Sequence, residues 1–328
     1  MAPFIYAPVI LAVYFASHFA TSTSVPVVTG ELDFKIPTLN TTGKTWYKII
    51  GNLTSHQRPL VALHGGPGFD SEYMEILSNI TTPRSGALVV YDQIGNGRST
   101  HLPNKLGDDS FWTDGLFLSE LDNVLSKLGI QDNYDLAGHS WGGMLAARHA
   151  TSRPKGLKRL VLMSAPASID LWVGAGNVYL KELPQNDQDI IISNEKAGTT
   201  NNTDYQKAIT YYNTLHVCSI QPMPEPIAAG FAVMSSDPTV RRSMYGPLNF
   251  QVTGSLKGWT IIHDAHKISV PTLVTHGKRD QANQTAVEPL LKEIPNVQGV
   301  EFENSGHMAH FEEAAKFTRV VSKFLSEA

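Results

Sequence analysis

The chain has 328 residues, of which 42% are hydrophobic and 17% are charged, a composition typical of a globular protein. This length suits one large α/β domain, or a core that carries a second module. The formal net charge of −4 leaves no basic excess, and no block of like charges forms a binding tail. Charge therefore argues against a nucleic-acid partner.

The first 24 residues predict a secretory signal peptide. An apolar run over residues 8–16 precedes small residues, and cleavage is expected near Ser22 to Ser24. The run is too short to span a bilayer comfortably, so we expect no stable membrane insertion. A signal anchor and an N-terminal strand that packs on the core are the alternatives, because no Lys or Arg precedes the run.

Glycosylation sequons and the cysteine count bear on the compartment. Five Asn-x-Ser/Thr sequons exceed the roughly two or three expected by chance, which favours a secreted glycoprotein. The sequons begin at Asn40, Asn52, Asn79, Asn201 and Asn283. The single cysteine, Cys218, cannot form an internal disulfide, so no disulfide framework supports this interpretation. We expect Cys218 to be a small buried residue.

From about residue 45 to residue 165, short apolar runs alternate with helical patterns. Continuous apolar runs are typical of strands that are covered on both faces. Such alternation predicts a largely parallel, doubly wound sheet. The predicted strands cover residues 46–50, 60–63, 87–91, 134–137 and 159–163. The helical patterns cover residues 113–128 and 144–151.

After Pro166 the character of the chain changes. Residues 167–260 are rich in Asn, Gln, Tyr and Pro, with a helical pattern over 204–216 and no clear strand. A segment of this kind between two halves of one sheet predicts a helical cap over the site. A long, partly disordered loop is the alternative, which the aromatic and apolar residues throughout the segment disfavour.

The α/β pattern resumes beyond the predicted cap. Strands are predicted over 270–275 and 300–302, and a final helix over 309–325. We therefore predict that residues 25–166 and 261–328 form one α/β core.

The run 138–142, Gly-His-Ser-Trp-Gly, matches the nucleophile elbow, in which a serine occupies a tight strand-to-helix turn. Glycines flank the serine because the turn leaves no room for bulkier residues. An apolar strand precedes the run, and an Ala-rich helix follows it. Ser140 is the predicted nucleophile, and the backbone N–H of Trp141, at a helix N-terminus, is a predicted oxyanion donor.

A serine nucleophile needs a base, and the base needs an acid that orients it. On this fold the chain order is Ser, then Asp or Glu, then His. Asp280 follows a predicted strand at the edge of the sheet where such sites lie, and His307 lies in a Gly-containing loop before the last helix. We predict that Ser140, Asp280 and His307 form the catalytic triad of a serine hydrolase with the α/β-hydrolase fold.

Two loops surround the predicted nucleophile. The turn 64–68, His-Gly-Gly-Pro-Gly, can bring the backbone N–H of Gly66 to the oxyanion, although it can also be an ordinary tight turn. The loop 92–99 is predicted to brace the site through Asp92 and Arg98. No cofactor is expected, and no metal site is predicted, because neither His-Glu-x-x-His nor paired-cysteine spacing occurs.

In combination these elements resemble the proline iminopeptidase family of α/β-hydrolases. The resemblance rests on the runs 64–68, 92–99 and 138–143, on Asp280, and on Ser-Gly-His at 305–307. It implies a Ser-Asp-His triad with two oxyanion donors on the residues named above, and a helical cap. The implied activity is release of an N-terminal residue, often proline, from small peptides, with amino-acid amidases and broader aminopeptidases among the relatives.

One position departs from the family pattern. Members resemble one another in a Gly-Pro-x-Glu-Phe stretch, whose acid holds the substrate's ammonium group because a buried cation needs a paired anion. This chain has Asn249 at that position, so the requirement for a free amine is expected to be relaxed. Glu225 is the predicted source of a second anion, with a solvated surface acid as the alternative.

Three functional hypotheses follow. The first is an aminopeptidase or amidase that cleaves a small peptide, amino-acid amide or ester through an acyl-enzyme. The second is an esterase or lactonase acting on a small neutral metabolite, which Asn249 favours. The third is a non-catalytic ligand-binding relative, which the presence of all three triad residues disfavours.

Overall fold

The computed structural model describes residues 25–37 and 39–327. The predicted signal peptide, residues 1–24, lies outside the described residues. In the part of the chain that is described, each helix is too short or too polar to cross a bilayer.

Eight strands form one sheet in the order β1-β2-β4-β3-β5-β6-β7-β8. The strands are β1 Val27–Lys35, β2 Thr42–Ile50, β3 Leu60–Leu63, β4 Leu88–Tyr91, β5 Tyr134–His139, β6 Leu157–Met163, β7 Thr272–Gly277 and β8 Val297–Phe302. The β1–β2 and β2–β4 pairs are antiparallel, and every other neighbouring pair is parallel. This arrangement confirms the predicted, mostly parallel α/β sheet.

The central strands follow directly from their composition. Every residue of β3, β4 and β5 is buried, as expected for apolar runs covered on both faces. β1 is absent from the predicted strands because polar residues interrupt it and only Phe34 within it is buried. Its pairing with β2 over nine residues makes it a strand despite this weak local signal.

Helices pack on both faces of the sheet. The helices are α1 Ser78–Thr81, α2 Asp114–Lys127, α3 Trp141–Thr151, α4 Ile169–Leu180, α5 Gln185–Ala197, α6 Thr203–His216, α7 Glu225–Ser236, α8 Thr239–Met244, α9 Gln284–Glu293, α10 Ala309–Glu312 and α11 Ala314–Ser326. α2 and α3 share one apolar cluster with alternate strand residues, and α1 and α11 share a second with the intervening strand residues. Cys218 is buried in the second cluster, as predicted.

Five helices, α4 to α8, lie between β6 and β7. A third apolar cluster, which includes Tyr205, Tyr212 and Phe250, holds helices of this segment together. An antiparallel bridge between Ser168 and Thr260 places the two ends of the segment side by side. The division of the chain into core and cap stays a prediction.

The final helix is interrupted, whereas the sequence predicts one helix over 309–325. Glu313 separates α10 from α11 with non-helical torsion angles, φ −123° and ψ 45°. Its carboxylate accepts hydrogen bonds from the Asn304 N–H at 3.0 Å and the Ser305 hydroxyl at 2.8 Å. The break therefore ties the end of the chain to the loop that carries His307.

Candidate active site

Ser140 occupies the turn between β5 and α3. Its φ of 54° and ψ of −122° are strained for a residue with a side chain, and such strain clusters at functional sites. The turn also requires glycine at position 142, because a β-carbon built there would lie only 2.3 Å from the carbonyl oxygen of Leu63. The tight turn therefore places the Ser140 side chain just beyond the C-terminal end of β5.

The structure brings Asp280 and His307 together. Asp280 is fully buried beyond β7, and its Oδ1 accepts a hydrogen bond from His307 Nδ1 at 2.7 Å and from the Ala282 N–H at 2.9 Å. The backbone of His307 is held as well, since its N–H donates to His216 and its carbonyl accepts from the Ser164 hydroxyl. With Nδ1 donating to the carboxylate, His307 keeps Nε2 for proton exchange.

The predicted oxyanion turn packs directly against the nucleophile. A β-carbon built at Gly65 would lie 2.9 Å from Cβ of Ser140, and Gly66 adopts a φ of 112° that favours glycine. The Gly66 and Trp141 N–H groups have no hydrogen-bond partner within residues 25–37 and 39–327. Two backbone donors next to Ser140 are therefore available to a bound oxyanion.

Gln93 joins the two segments that carry these donors. Its Oε1 accepts from the Trp141 indole N–H at 2.9 Å, and its side-chain amide donates to the His64 carbonyl at 2.9 Å. Its backbone N–H donates to His64 Nε2 at 3.0 Å. Sequence reasoning missed this role, although Gln93 lies within the quoted 92–99 run.

The brace predicted from Asp92 and Arg98 is present. Asp92 is fully buried and accepts hydrogen bonds from the Arg98 backbone and guanidinium and from Ser71. Burial alone would raise the pKa of Asp92, but the hydrogen bonds from Arg98 and Ser71 outweigh it and lower that pKa. The carboxylate therefore stays ionised and anchors the loop.

A second positioning chain passes through Tyr73 and His139. The Gly65 N–H donates to the Tyr73 hydroxyl at 2.6 Å, and that hydroxyl lies 2.8 Å from His139 Nδ1. His139 Nε2 lies 3.0 Å from the His307 carbonyl, which can only accept, so Nδ1 accepts from Tyr73. Burial lowers the pKa of His139 well below its ordinary value, which keeps the ring neutral. Sequence reasoning missed this link between the oxyanion turn and His307.

A cavity of about 760 Å³ adjoins these residues. Ser140, His307 and Gly66 line it together with residues of α4, α6, α7 and α8. Of the two predicted substrate-binding residues, Asn249 lines this cavity and Glu225 does not. Glu225 is exposed in the first turn of α7, where an acid stabilises the helix N-terminus. The structure thus supports the surface-acid alternative for Glu225.

Among residues 25–37 and 39–327, no three His, Cys, Asp or Glu side chains lie close enough together to hold a metal ion.

Comparison with known proteins identifies related sequences and structures. Residues 58–314 match the model of the alpha/beta hydrolase fold family. The chain is 32% identical to proline iminopeptidases of Saccharolobus solfataricus and Clostridium botulinum, covering 86% and 87% of this chain and 89% and 95% of those proteins. The crystal structure of VinJ matches with a TM-score of 0.85 and 40% identity, covering 90% of this chain and 98% of VinJ. A proline iminopeptidase of Mycobacterium smegmatis matches with a TM-score of 0.81 and 34% identity, covering 90% and 97% of the two chains.

Proposed function

The chain belongs to the proline iminopeptidase family of α/β hydrolases, and we propose that this serine hydrolase releases the N-terminal residue of short peptides or amino-acid amides. The observation that carries the proposal is that Ser140 and His307 line the same cavity, while the His307 ring is hydrogen-bonded to Asp280 at 2.7 Å. We further propose that the helical segment 167–260 acts as a cap that limits substrates to small ones.

In the proposed mechanism, the Ser140 hydroxyl attacks the substrate carbonyl while His307 Nε2 takes its proton. The Gly66 and Trp141 N–H groups stabilise the negative oxygen of the tetrahedral intermediate. His307 then gives the proton to the leaving amine as the C–N bond breaks. Water hydrolyses the resulting ester on Ser140 by the same steps, and Asp280 stabilises the imidazolium throughout.

Replacement of the nucleophile tests the mechanism. Ser140→Ala is expected to lower turnover of aminoacyl-arylamides by at least about 1000-fold and to abolish labelling by a serine-directed phosphonate. Ser152→Ala, at an exposed position after α3, is the matched control and should keep wild-type activity. Full activity of Ser140→Ala, or failure of the wild type to react with the phosphonate, would exclude this mechanism.

A second candidate function is hydrolysis of a neutral ester or lactone. One observation favours it: no Asp or Glu among the described residues lines the cavity, so no carboxylate there balances a substrate ammonium group. Matched free-amine amides, N-blocked amides and simple esters separate the two functions. Efficient turnover of blocked amides or esters, with free-amine substrates ignored, would exclude the aminopeptidase. Binding of these compounds without any turnover would indicate the non-catalytic alternative.

We also propose that the chain enters the secretory route and carries N-linked glycans. In support, the Asn side chains of four sequons are exposed, those of Asn40, Asn52, Asn79 and Asn201. Asn283 differs, because its Oδ1 caps α9 and its amide donates to Tyr179. Expression in a eukaryotic host should yield secreted protein whose gel mobility increases after endoglycosidase treatment, and Asn283→Gln should leave that shift unchanged. Retention in the cell without glycans would contradict the proposal.

A further inference from the structure

The cavity beside Ser140 carries cations and lacks anions. Arg241 and Arg242 line it, whereas no Asp or Glu does so within residues 25–37 and 39–327. A cavity wall of one sign attracts ligand groups of the opposite sign and repels those of the same sign. The wall therefore favours a carboxylate over an ammonium group.

Arg241 is half-buried in this wall without a counter-ion. Its Nη1 donates to the Gly246 carbonyl at 2.7 Å, and its guanidinium carbon lies 3.8 Å from the centre of the Tyr245 ring. No described carboxylate lies within 4.0 Å of its nitrogen atoms. A guanidinium has five N–H donors, and its other contacts, to Leu248 and Asn249, are long at 3.5 Å. Arg241 therefore keeps donors for a bound ligand.

The Glu195 carboxylate, which contacts the Asn249 backbone, is already used by groups of the protein. Glu195 accepts hydrogen bonds from the Tyr205 hydroxyl at 2.9 Å and from the Asn249 N–H at 2.8 Å, and it does not line the cavity. The side-chain amide of Asn249 donates to Tyr205 at 2.8 Å, which directs its oxygen towards Arg241. Neither side chain offers an ionic partner to a substrate amine.

We propose that this cavity selects substrates by a carboxylate group, which Arg241 binds while Ser140 attacks the scissile carbonyl. The inference rests on the proposed function, since it names the substrate class of the same site. The carboxylate belongs either to the leaving part, as the C-terminus of a short peptide, or to the acyl part, as in a monoester of a dicarboxylic acid.

Binding to the Ser140→Ala variant tests the selection without hydrolysis. Calorimetry would compare alanyl-alanine with its C-terminal amide and with its N-acetyl form, and monomethyl succinate with dimethyl succinate. At least one free acid is expected to bind about tenfold or more tighter than its neutral counterpart, and N-acetylation should change affinity less than about threefold. The pair that discriminates identifies the side of the scissile bond that carries the carboxylate. Equal binding within both pairs would overturn the inference.

Variants of the cation give the second test. In the Ser140→Ala background, Arg241→Met should abolish the discrimination and Arg241→Lys should keep part of it. Arg319→Gln, at an exposed position on α11, is the control and should change nothing. The Arg241 guanidinium also donates a hydrogen bond to the Gly246 carbonyl, so its replacement can affect folding. Urea unfolding would establish that each variant folds. Unchanged discrimination in folded Arg241→Met would overturn the inference.

A substitution at Asn249 keeps the test open if Arg241→Met does not fold. Asn249→Glu would place a carboxylate beside the Arg241 guanidinium and neutralise it, so the preference for free acids should fall about tenfold or more. An unchanged preference would count against the inference. Failure of the proposed function would look different: wild-type enzyme would hydrolyse no amide or ester, even though Ser140→Ala still preferred free acids.

Discussion

Two glycine-to-alanine substitutions should have opposite effects on this protein. Gly142 lies in the first turn of α3, where an added β-carbon would meet the Leu63 carbonyl oxygen at 2.3 Å and the His64 carbonyl oxygen at 2.6 Å. Gly174 is an exposed residue inside α4, where an added β-carbon would meet nothing within 4 Å. The same chemical change therefore probes packing at one position and helix propensity alone at the other.

The expected magnitudes follow from these distances. At Gly174 alanine should add about 0.5–1 kcal/mol to the free energy of unfolding, the difference in helix propensity. At Gly142 an ordinary contact of 3.4 Å or more requires a shift of about 1 Å, and the opposing atoms are backbone. Overpacking of this kind costs about 1–3 kcal/mol. Because no side chain can rotate away, we expect a net loss of about 2 kcal/mol.

Urea unfolding would give both free energies. Thermal midpoints should fall by about 3 °C for Gly142→Ala and rise by about 1 °C for Gly174→Ala, given the unfolding entropy expected for a chain of this length. Since the shifted carbonyls belong to β3 and the oxyanion turn, kcat/KM of Gly142→Ala should also fall about 100-fold. Gly174→Ala should keep wild-type kinetics. A Gly142→Ala enzyme as stable and active as the wild type would refute the close-approach argument.

Asp280→Asn should lower kcat about 1000-fold or more in steady-state assays. The reason is that His307 loses the carboxylate that orients its ring and stabilises the imidazolium formed during the reaction. Asp132→Asn, at an exposed position, should have no effect, and comparable activity of the two variants would contradict the assigned role of Asp280. Burial raises the pKa of Glu120 from 4.5 to about 8, so the folded protein keeps a proton that the unfolded chain releases. The wild type therefore loses stability as pH rises between those values. Relative to the wild type, Glu120→Gln should gain about 2–5 kcal/mol in free energy of unfolding between about pH 5 and about pH 8, measured by urea titration, and parallel pH profiles would contradict this.

Local chemistry made much of this protein predictable. The apolar runs of the central strands are buried on both faces whichever helices cover them, so composition reveals them. The tight turn around Ser140 requires glycine at positions 138 and 142, so the run 138–142 predicts the turn from sequence alone. Chain order then led from Ser140 to Asp280 and His307, whose side chains the structure places at 2.7 Å from each other.

Other features depend on contacts between distant segments. Gln93, Tyr73 and His139 join the oxyanion turn to the nucleophile helix and the His307 loop, yet their partners lie as far as 168 residues away in the chain. No periodicity or composition encodes such pairs, because each hydrogen bond exists only after the strands and helices have packed.

The same reason separates the two predicted substrate-binding residues. Glu225 and Asn249 both lie in the helical segment, and both are hydrophilic, so residue type could not decide which of the two side chains meets the substrate. The packing of α5 to α8 turns Asn249 and Arg241 to the cavity and leaves Glu225 in solvent. The nucleophile could thus be predicted from the sequence of one local turn. The charge of the cavity around it was decided only by tertiary packing, because that charge depends on which side chains face the cavity.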